Sequence, residues 1–338
     1  MTEGVGCRVD KAKRAHPRGL GPRRWARRKG AFAHPTAIVL TLAALTCALP
    51  ASGVAAPRIV SMNICTDQLL LAIADPAQIM GLSRFSRDAR LWAGTEARNF
   101  PILSGGAEDI LMLKPDVVAA SDFDKRSTRE LLKANGQNLE EFPVPRTLAD
   151  VREQIRRMGE LAGHPGRATA EIARLDAAIS GAKQAAEGKH FRMLPLSRRG
   201  WVPGRDSFVG AILAEAGLES AAGELGIGFG GFVSMEEIIR LRPDFLVVSD
   251  TGERAEDDGS AFLLHPALER FYPRSKRIVI PERMTECGGV LLADALNALS
   301  AELKRVARRS SVLSAPGHTI CARKPGFLQR LQKKPLQM

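Results

Sequence analysis

Several things are scarce in this 338-residue chain, and each scarcity removes a class of function. Its most apolar run, "AIVLTLAALTCAL" from Ala37 to Leu49, holds about 13 residues, short of the ~20 that a transmembrane helix needs. No G-x-G-x-x-G follows the first strand-like segment, and no G-x-x-x-x-G-K-[ST] occurs at all. That argues against a nucleotide-dependent enzyme. Six histidines are present, none in an H-E-x-x-H or H-x-x-E-H context, and the five cysteines never take the paired spacing of a structural zinc site. With no metal-site or catalytic motif, the chain reads as a non-enzyme needing no resident cofactor. Nor does any glycine- or serine-rich linker divide it.

Charge is plentiful but unevenly placed. The net charge is +12, yet residues 1–35 contribute +8 and residues 304–338 contribute +9, which leaves −5 for residues 36–303. A mildly acidic body with basic ends argues against nucleic acid as a partner. The front end reads as a secretory leader. A basic stretch ending at Lys29 precedes the short apolar run, and "PASGVAA" places small Val54 and Ala56 at the positions a signal peptidase reads. The residue before Cys47 is Thr46, a poor lipobox, so cleavage is expected near Ala56. Residues 1–56 are thus a signal peptide, and the product is a soluble exported monomer. Cys65, Cys287 and Cys321 survive cleavage, an odd number for an oxidising compartment. Cys65 and Cys287 can meet only if the fold brings distant halves together.

The most informative feature is a repeated passage. "GGAEDILMLKPDVVAASD" (Gly105–Asp122) recurs as "GGFVSMEEIIRLRPDFLVVSD" (Gly230–Asp250). Glu108/Glu236, Ile110/Ile238, Lys114/Arg242, Pro115/Pro243 and Asp116/Asp244 all fall 128 positions apart. In the second copy Ser234 and Glu237 have capping-box spacing. A short apolar helix follows, Pro243 stops it, and Phe245–Val248 is a buried strand. Each copy is therefore helix, turn, strand. A period this long marks two similar lobes rather than a solenoid.

The rest of the chain fits that division. Residues 57–146 alternate strand and helix: "PRIVSM", a helix at "DQLLLAIAD", "QIMGLS", a loop from Arg84 to Gly106, the first repeat, a helix at "KRSTRELLKANG", and "LEEFPV". Residues 147–189 are helical, with Thr147 and Asp150 as a capping pair and a helix from Pro165 to about Glu187. At ~1.5 Å per residue that helix spans ~33 Å, enough to bridge two lobes. Residues 190–306 form the second lobe: "FRMLPL", a loop "RRGWVPGRDSF", one helix over "SFVGAILAEAGLESAA", the second repeat, one helix over "FLLHPALERF", "KRIVIP" and a closing helix ending at Val306. Residues 307–338 read as a basic, disordered tail.

The duplicated "E-x-I-x-x-L-[KR]-P-D" units, the opening "RIVSMNICTDQLLLAI" and "CGG" before the last helix resemble the periplasmic substrate-binding proteins of iron-chelate and cobalamin ABC importers. The similarity covers roughly Pro57 to Val306. It implies an α/β fold of two Rossmann-like lobes with parallel sheets, joined by a single long helix. It also implies a chelated cargo (an iron siderophore, haem or cobalamin) held between the lobes, a membrane permease as partner, and a periplasmic location. By motif position, Glu108 and Glu236 are the glutamates that would dock on the permease. In such a fold the ligand meets loops at the carboxyl ends of strands. That selects Asn63, Cys65, Phe85 and Arg87 in the first lobe, and Trp201, Arg205, Glu286 and Cys287 in the second. A sensor domain docking on a receptor is the alternative use of the same scaffold.

Overall fold

The computed structural model describes residues 56–92, 94–249 and 258–314. The predicted leader, Cys321 and the end of the predicted tail lie outside them.

The first lobe runs β1 (Ile59–Ser61), α1 (Ile64–Ile73), β2 (Ile79–Ser83), β3 (Ile102–Leu103), α2 (Ala107–Leu113), β4 (Val117–Ala120), α3 (Arg126–Ala134) and β5 (Leu139–Glu141). Its strands form one parallel sheet ordered β3-β2-β1-β4-β5. Two helices, α4 (Leu148–Leu161) and α5 (Pro165–Ala186), then lead away. The second lobe contains β6 (Arg192–Leu196), β7 (Trp201–Pro203), α6 (Phe208–Glu215), β8 (Glu219–Ser220), β9 (Gly230–Phe232), α7 (Met235–Leu241), β10 (Phe245–Val248), α8 (Asp258–Leu263), α9 (Pro266–Phe271), β11 (Arg277–Val279) and α10 (Leu292–Ser314). Its main sheet is parallel, ordered β11-β10-β6-β8, while β7 and β9 pair antiparallel as a separate ribbon. The architecture is the expected pair of α/β lobes on either side of one long helix.

Alternation along the buried strands divides the core. Ile59 and Met193 join the cluster built around α5 and α10, while their neighbours Val60 and Leu194 face separate clusters on the outer side of each sheet. Small residues along α5 (Ala168, Ala178, Ala182, Ala185) let it pack closely against α4 and α10. The central cluster thus runs through both lobes without a break.

The repeated passage now has a structural meaning. Each copy ends its helix on a basic residue in left-handed conformation, Lys114 (φ 47°) and Arg242 (φ 51°). An arginine at the start of each lobe's first strand closes over that turn. Arg58 donates to the carbonyls of Leu113 and Lys114 at 3.1 and 3.2 Å, and Arg192 donates to those of Leu241 and Arg242 at 3.1 and 3.0 Å. The motif aspartates accept in return from the backbone N–H of the same arginines, Asp116 at 2.7 Å and Asp244 at 2.9 Å. Carbonyls orphaned at the helix ends are satisfied this way.

Several expected boundaries shift for identifiable reasons. Residues 84–106, expected as loop, contain two 3-10 turns and β3. The helix expected over 207–222 stops at Glu215, because Gly217 turns the chain left-handed (φ 75°) and releases Glu219–Ser220 as β8. Pro266 splits the expected helix over 262–271 into α8 and α9, with His265 capping the second. Pro195 is accommodated inside β6 because β8 pairs only with Arg192 and Met193, leaving an edge where the proline has no N–H to give. The last helix continues past Val306 to Ser314, so the tail does not begin where the apolar pattern fades.

Candidate functional site

The carboxyl ends of the two parallel sheets meet. Cys65 follows β1 and Cys287 follows β11, and the two form a disulfide across a sequence separation of 222, with Cα atoms 5.1 Å apart. Neither is a thiol. On the same face of α1, Gln68 reaches the carbonyls of Leu91 and Arg283 at 3.4 and 3.5 Å. Gly288 lies at the same junction. With φ 55° it adopts the conformation glycine favours, and a Cβ there would run into the Phe208 ring and Pro145.

Asn63 is used by the fold at both ends of its side chain. Its Oδ1 caps α1 by accepting from the N–H groups of Cys65 and Thr66, each at 3.0 Å, and its Nδ2 donates to Asp124 at 2.9 Å. Asp124 in turn accepts from the Ser121 N–H at the end of β4. The loops after β1 and β4 are thereby fixed to each other. Arg87 is similarly occupied, donating to the carbonyls of Arg98 and Phe100. Phe85 is exposed, with the Arg84 guanidinium 5.0 Å from its ring centroid.

Beneath this loop lies a residue that the sequence pattern passed over. Asp67, wholly buried on α1, accepts from the Ser83 N–H at 3.0 Å and from the Ser83 hydroxyl at 2.5 Å. Burial pushes its carboxyl up to about 7, against the opposing effect of hydrogen bonds from Ser61 and Ser83. Ser83 opens the turn that carries Phe85, so this carboxyl anchors the loop from below. Burial also raises Asp124. An aspartate at the head of the apolar helix "DQLLLAIAD" was the usable signal.

The second lobe presents aromatics. Trp201, expected in a loop, sits in β7, and its ring meets Phe232 of β9 edge-on at 5.1 Å and 70°. Glycine makes that contact possible: a Cβ at Gly230 would strike the indole, and one at Gly204 would strike the Gly228 backbone. Phe229 and Phe232 are 78 % and 70 % exposed, and Phe123, after β4 in the first lobe, is 81 % exposed. These three phenylalanines were not singled out from sequence. The glycine-rich "GIGFGGF" was the available sign, since such a stretch has no need to hide its rings. Arg205 is exposed beside Asp206 at 3.4 Å, Glu286 is exposed, and Cys287 is buried within the disulfide.

Glu108 and Glu236 occupy matching places in the first turns of α2 and α7, and both are exposed. Their neighbours perform the capping. Asp109 is held below its ordinary range by the Ser104 hydroxyl and by the Ser104 N–H at 2.7 Å, and Glu237 by the Ser234 N–H at 2.8 Å and the Ser234 hydroxyl. In the second copy this is the reciprocal capping box expected of Ser234 and Glu237.

Among the described residues no helix is long and apolar enough to cross a membrane. Two cobalamin-binding proteins from strains of Halobacterium salinarum are each 24 % identical to this chain over 223 residues, 63 % of it; the chain spans 59 % of their length. A periplasmic haem-binding protein of Roseiflexus sp. RS-1 shares the fold with a TM-score of 0.63 at 24 % identity, covering 75 % of this chain and 99 % of its own. The periplasmic vitamin B12-binding protein of Vibrio cholerae does so with a TM-score of 0.58 at 15 % identity, over 75 % and 98 %. The periplasmic binding protein model matches residues 59–273, a stretch that takes in both copies of the repeat, and the chain belongs to that family.

Proposed function

We propose that this chain is the substrate-binding component of an ABC importer, and that it holds a corrin-type metal chelate between its lobes. The observation that carries the proposal is the set of exposed rings at the carboxyl ends of both sheets: Phe85 and Phe123 on one side, Trp201, Phe229 and Phe232 on the other. In a chain with only 5 % aromatic residues, such a concentration fits a large flat ligand. Arg84, over the Phe85 ring, and exposed Arg205 are the arginines left to meet its polar edge, since Arg87 is spent on the Arg98 and Phe100 carbonyls.

The choice among chelates follows from iron chemistry. Haem iron is held by protein groups such as His, Tyr or Cys. The chain's one tyrosine, Tyr272, lies at the opposite end of the second sheet, and both cleft cysteines are in the disulfide. Among the described residues His164 is engaged with Asp75 and Gln78, His190 precedes β6, and His265 caps α9, so no described histidine sits on these loops. A cobalamin brings its own axial ligands. The naming of the Halobacterium relatives as cobalamin-binding supports the same choice.

On this reading residues 1–56 export the protein to the periplasm as a monomer, residues 57–146 and 190–306 are the two lobes, and Glu108 and Glu236 contact the permease. Titration with cyanocobalamin, haemin and ferrichrome tests the cargo. Saturable cobalamin binding, weakened about tenfold or more by Trp201→Ala or Phe232→Ala, is expected. Preference for haemin or ferrichrome overturns the corrin assignment. The Glu108→Ala/Glu236→Ala double variant should abolish uptake with cobalamin affinity intact, and normal uptake would refute the docking role.

A further inference from the structure

We infer that the second lobe carries another small-molecule site, at the end of its sheet away from the cleft, suited to an aromatic carboxylate. A cavity of about 690 Å³ opens among the residues that lead into its strands. Phe191 precedes β6, Arg242 and Phe245 bracket the entry to β10, and Phe271, Tyr272 and Lys276 lie ahead of β11. The volume falls within the ~300–1,000 Å³ typical of ligand pockets. The inference does not depend on the identity of the cargo.

The shared fold does not demand these residues. At the matching positions of the first lobe, Pro57 stands for Phe191 and Val117 for Phe245. In the second lobe those two rings pack edge to face at 5.1 Å and 77°, and Phe271 adds a half-exposed ring. Rings so arranged offer both faces and edges to another flat group.

The polar groups define the rest of the ligand. Tyr272 is only 3 % exposed, yet its hydroxyl makes no hydrogen bond among the described residues. The hydroxyl oxygen is not sealed in but opens onto the cavity, where it can donate to an incoming acceptor. Around it, cations with partners and cations without are clearly divided. Arg192 is held by Glu224, and Arg277 by Glu269. Arg242 and Lys276 extend exposed side chains that form no ion pair or side-chain hydrogen bond among the described residues. The one acid on the wall, Asp244, is already accepting from the Arg192 N–H. Two uncommitted cations, a donor hydroxyl and an aromatic floor together call for an anion joined to a ring.

The test is fluorescence titration of the full chain with 1-naphthoate, and with neutral 1-naphthylmethanol as its uncharged counterpart. Saturable naphthoate binding is expected, with the alcohol weaker by about tenfold. The Arg242→Ala/Lys276→Ala double variant should lose at least about tenfold. Tyr272→Phe, which keeps the ring and serves as the folding-safe variant, should lose severalfold at unchanged Tm. Trp201→Ala, in the cleft, should leave naphthoate binding unaltered. Absence of saturable binding at millimolar naphthoate, or binding indifferent to the double variant, or binding abolished by Trp201→Ala, would each overturn the site.

Discussion

Superposed by their repeats, the two lobes follow one plan. The order β2-β1-β4-β5 in the first sheet corresponds to β8-β6-β10-β11 in the second, and the Arg58 clamp to the Arg192 clamp. They part at the strand just before the repeated helix. In the first lobe Leu103 of β3 is buried, and the strand adds to the sheet edge beside β2. At the same register the second lobe has Gly230 and Gly231, and its edge strand β8 is only two residues long. Without a side chain to bury or an edge to join, β9 leaves the sheet and pairs with β7, carrying Phe232 to Trp201. A second difference lies at the fourth residue past each helix cap: Asp67 after Asn63, but Ala211 after Ser207. One lobe became a polar anchor and the other an aromatic surface, on a common scaffold.

Four experiments can break or sharpen this contrast. The largest effect is expected from the link between the lobes. Cys65→Ser/Cys287→Ser should lower unfolding free energy by ~2–5 kcal/mol in denaturant titration, since the bond closes a loop of more than 200 residues. An unchanged midpoint would show that the bond contributes nothing.

Next comes the acid present in only one lobe. Because Asp67 is raised from 3.8 to about 7 in the fold, the native state holds a proton that the unfolded chain has released between those values. Stability should therefore fall as pH rises from about 4 to about 7 and level off above, by an amount on the order of 4 kcal/mol. Asp67→Asn should flatten that slope. Persistence of the slope in the variant would assign it elsewhere.

The clamps should be unequal. Arg192→Ala, which also loses both Glu224 oxygens, should cost ~1–2 kcal/mol, and Arg58→Ala about half as much. Equal losses by denaturant titration would mean that Glu224 adds nothing. Smallest of all, Lys114→Gly should stabilise by ~0.5–1 kcal/mol by relieving the left-handed backbone, and Arg242→Gly likewise. Thermal melts would register a rise in both, and a fall in either would show that its side chain does more than turn the chain.

Much of this plan could be read from the residues, because apolar periodicity and capping pairs are local. Pro165 to Ala186 announced its helix, and Ser234 with Glu237 announced theirs. What escaped was decided by partners far away. Phe123 and Phe232 are single rings whose exposure depends on which strand ends gather together. The pairing of Cys65 with Cys287 needed the fold to choose between alternatives left open by an odd cysteine count. Trp201 was legible as unusual in its glycine-rich setting, but its β-ribbon was not, since β7 and β9 are each only three residues long.

The bridge between Cys65 and Cys287 also governs what happens when the chain is cut. Every peptide bond between those positions, including all of the α5 rod, belongs to one covalent ring. A protease that nicks any single site in that ring opens it without releasing a fragment, so the two sheets would stay tethered and the strand-end loops would keep their neighbours until a reductant arrived.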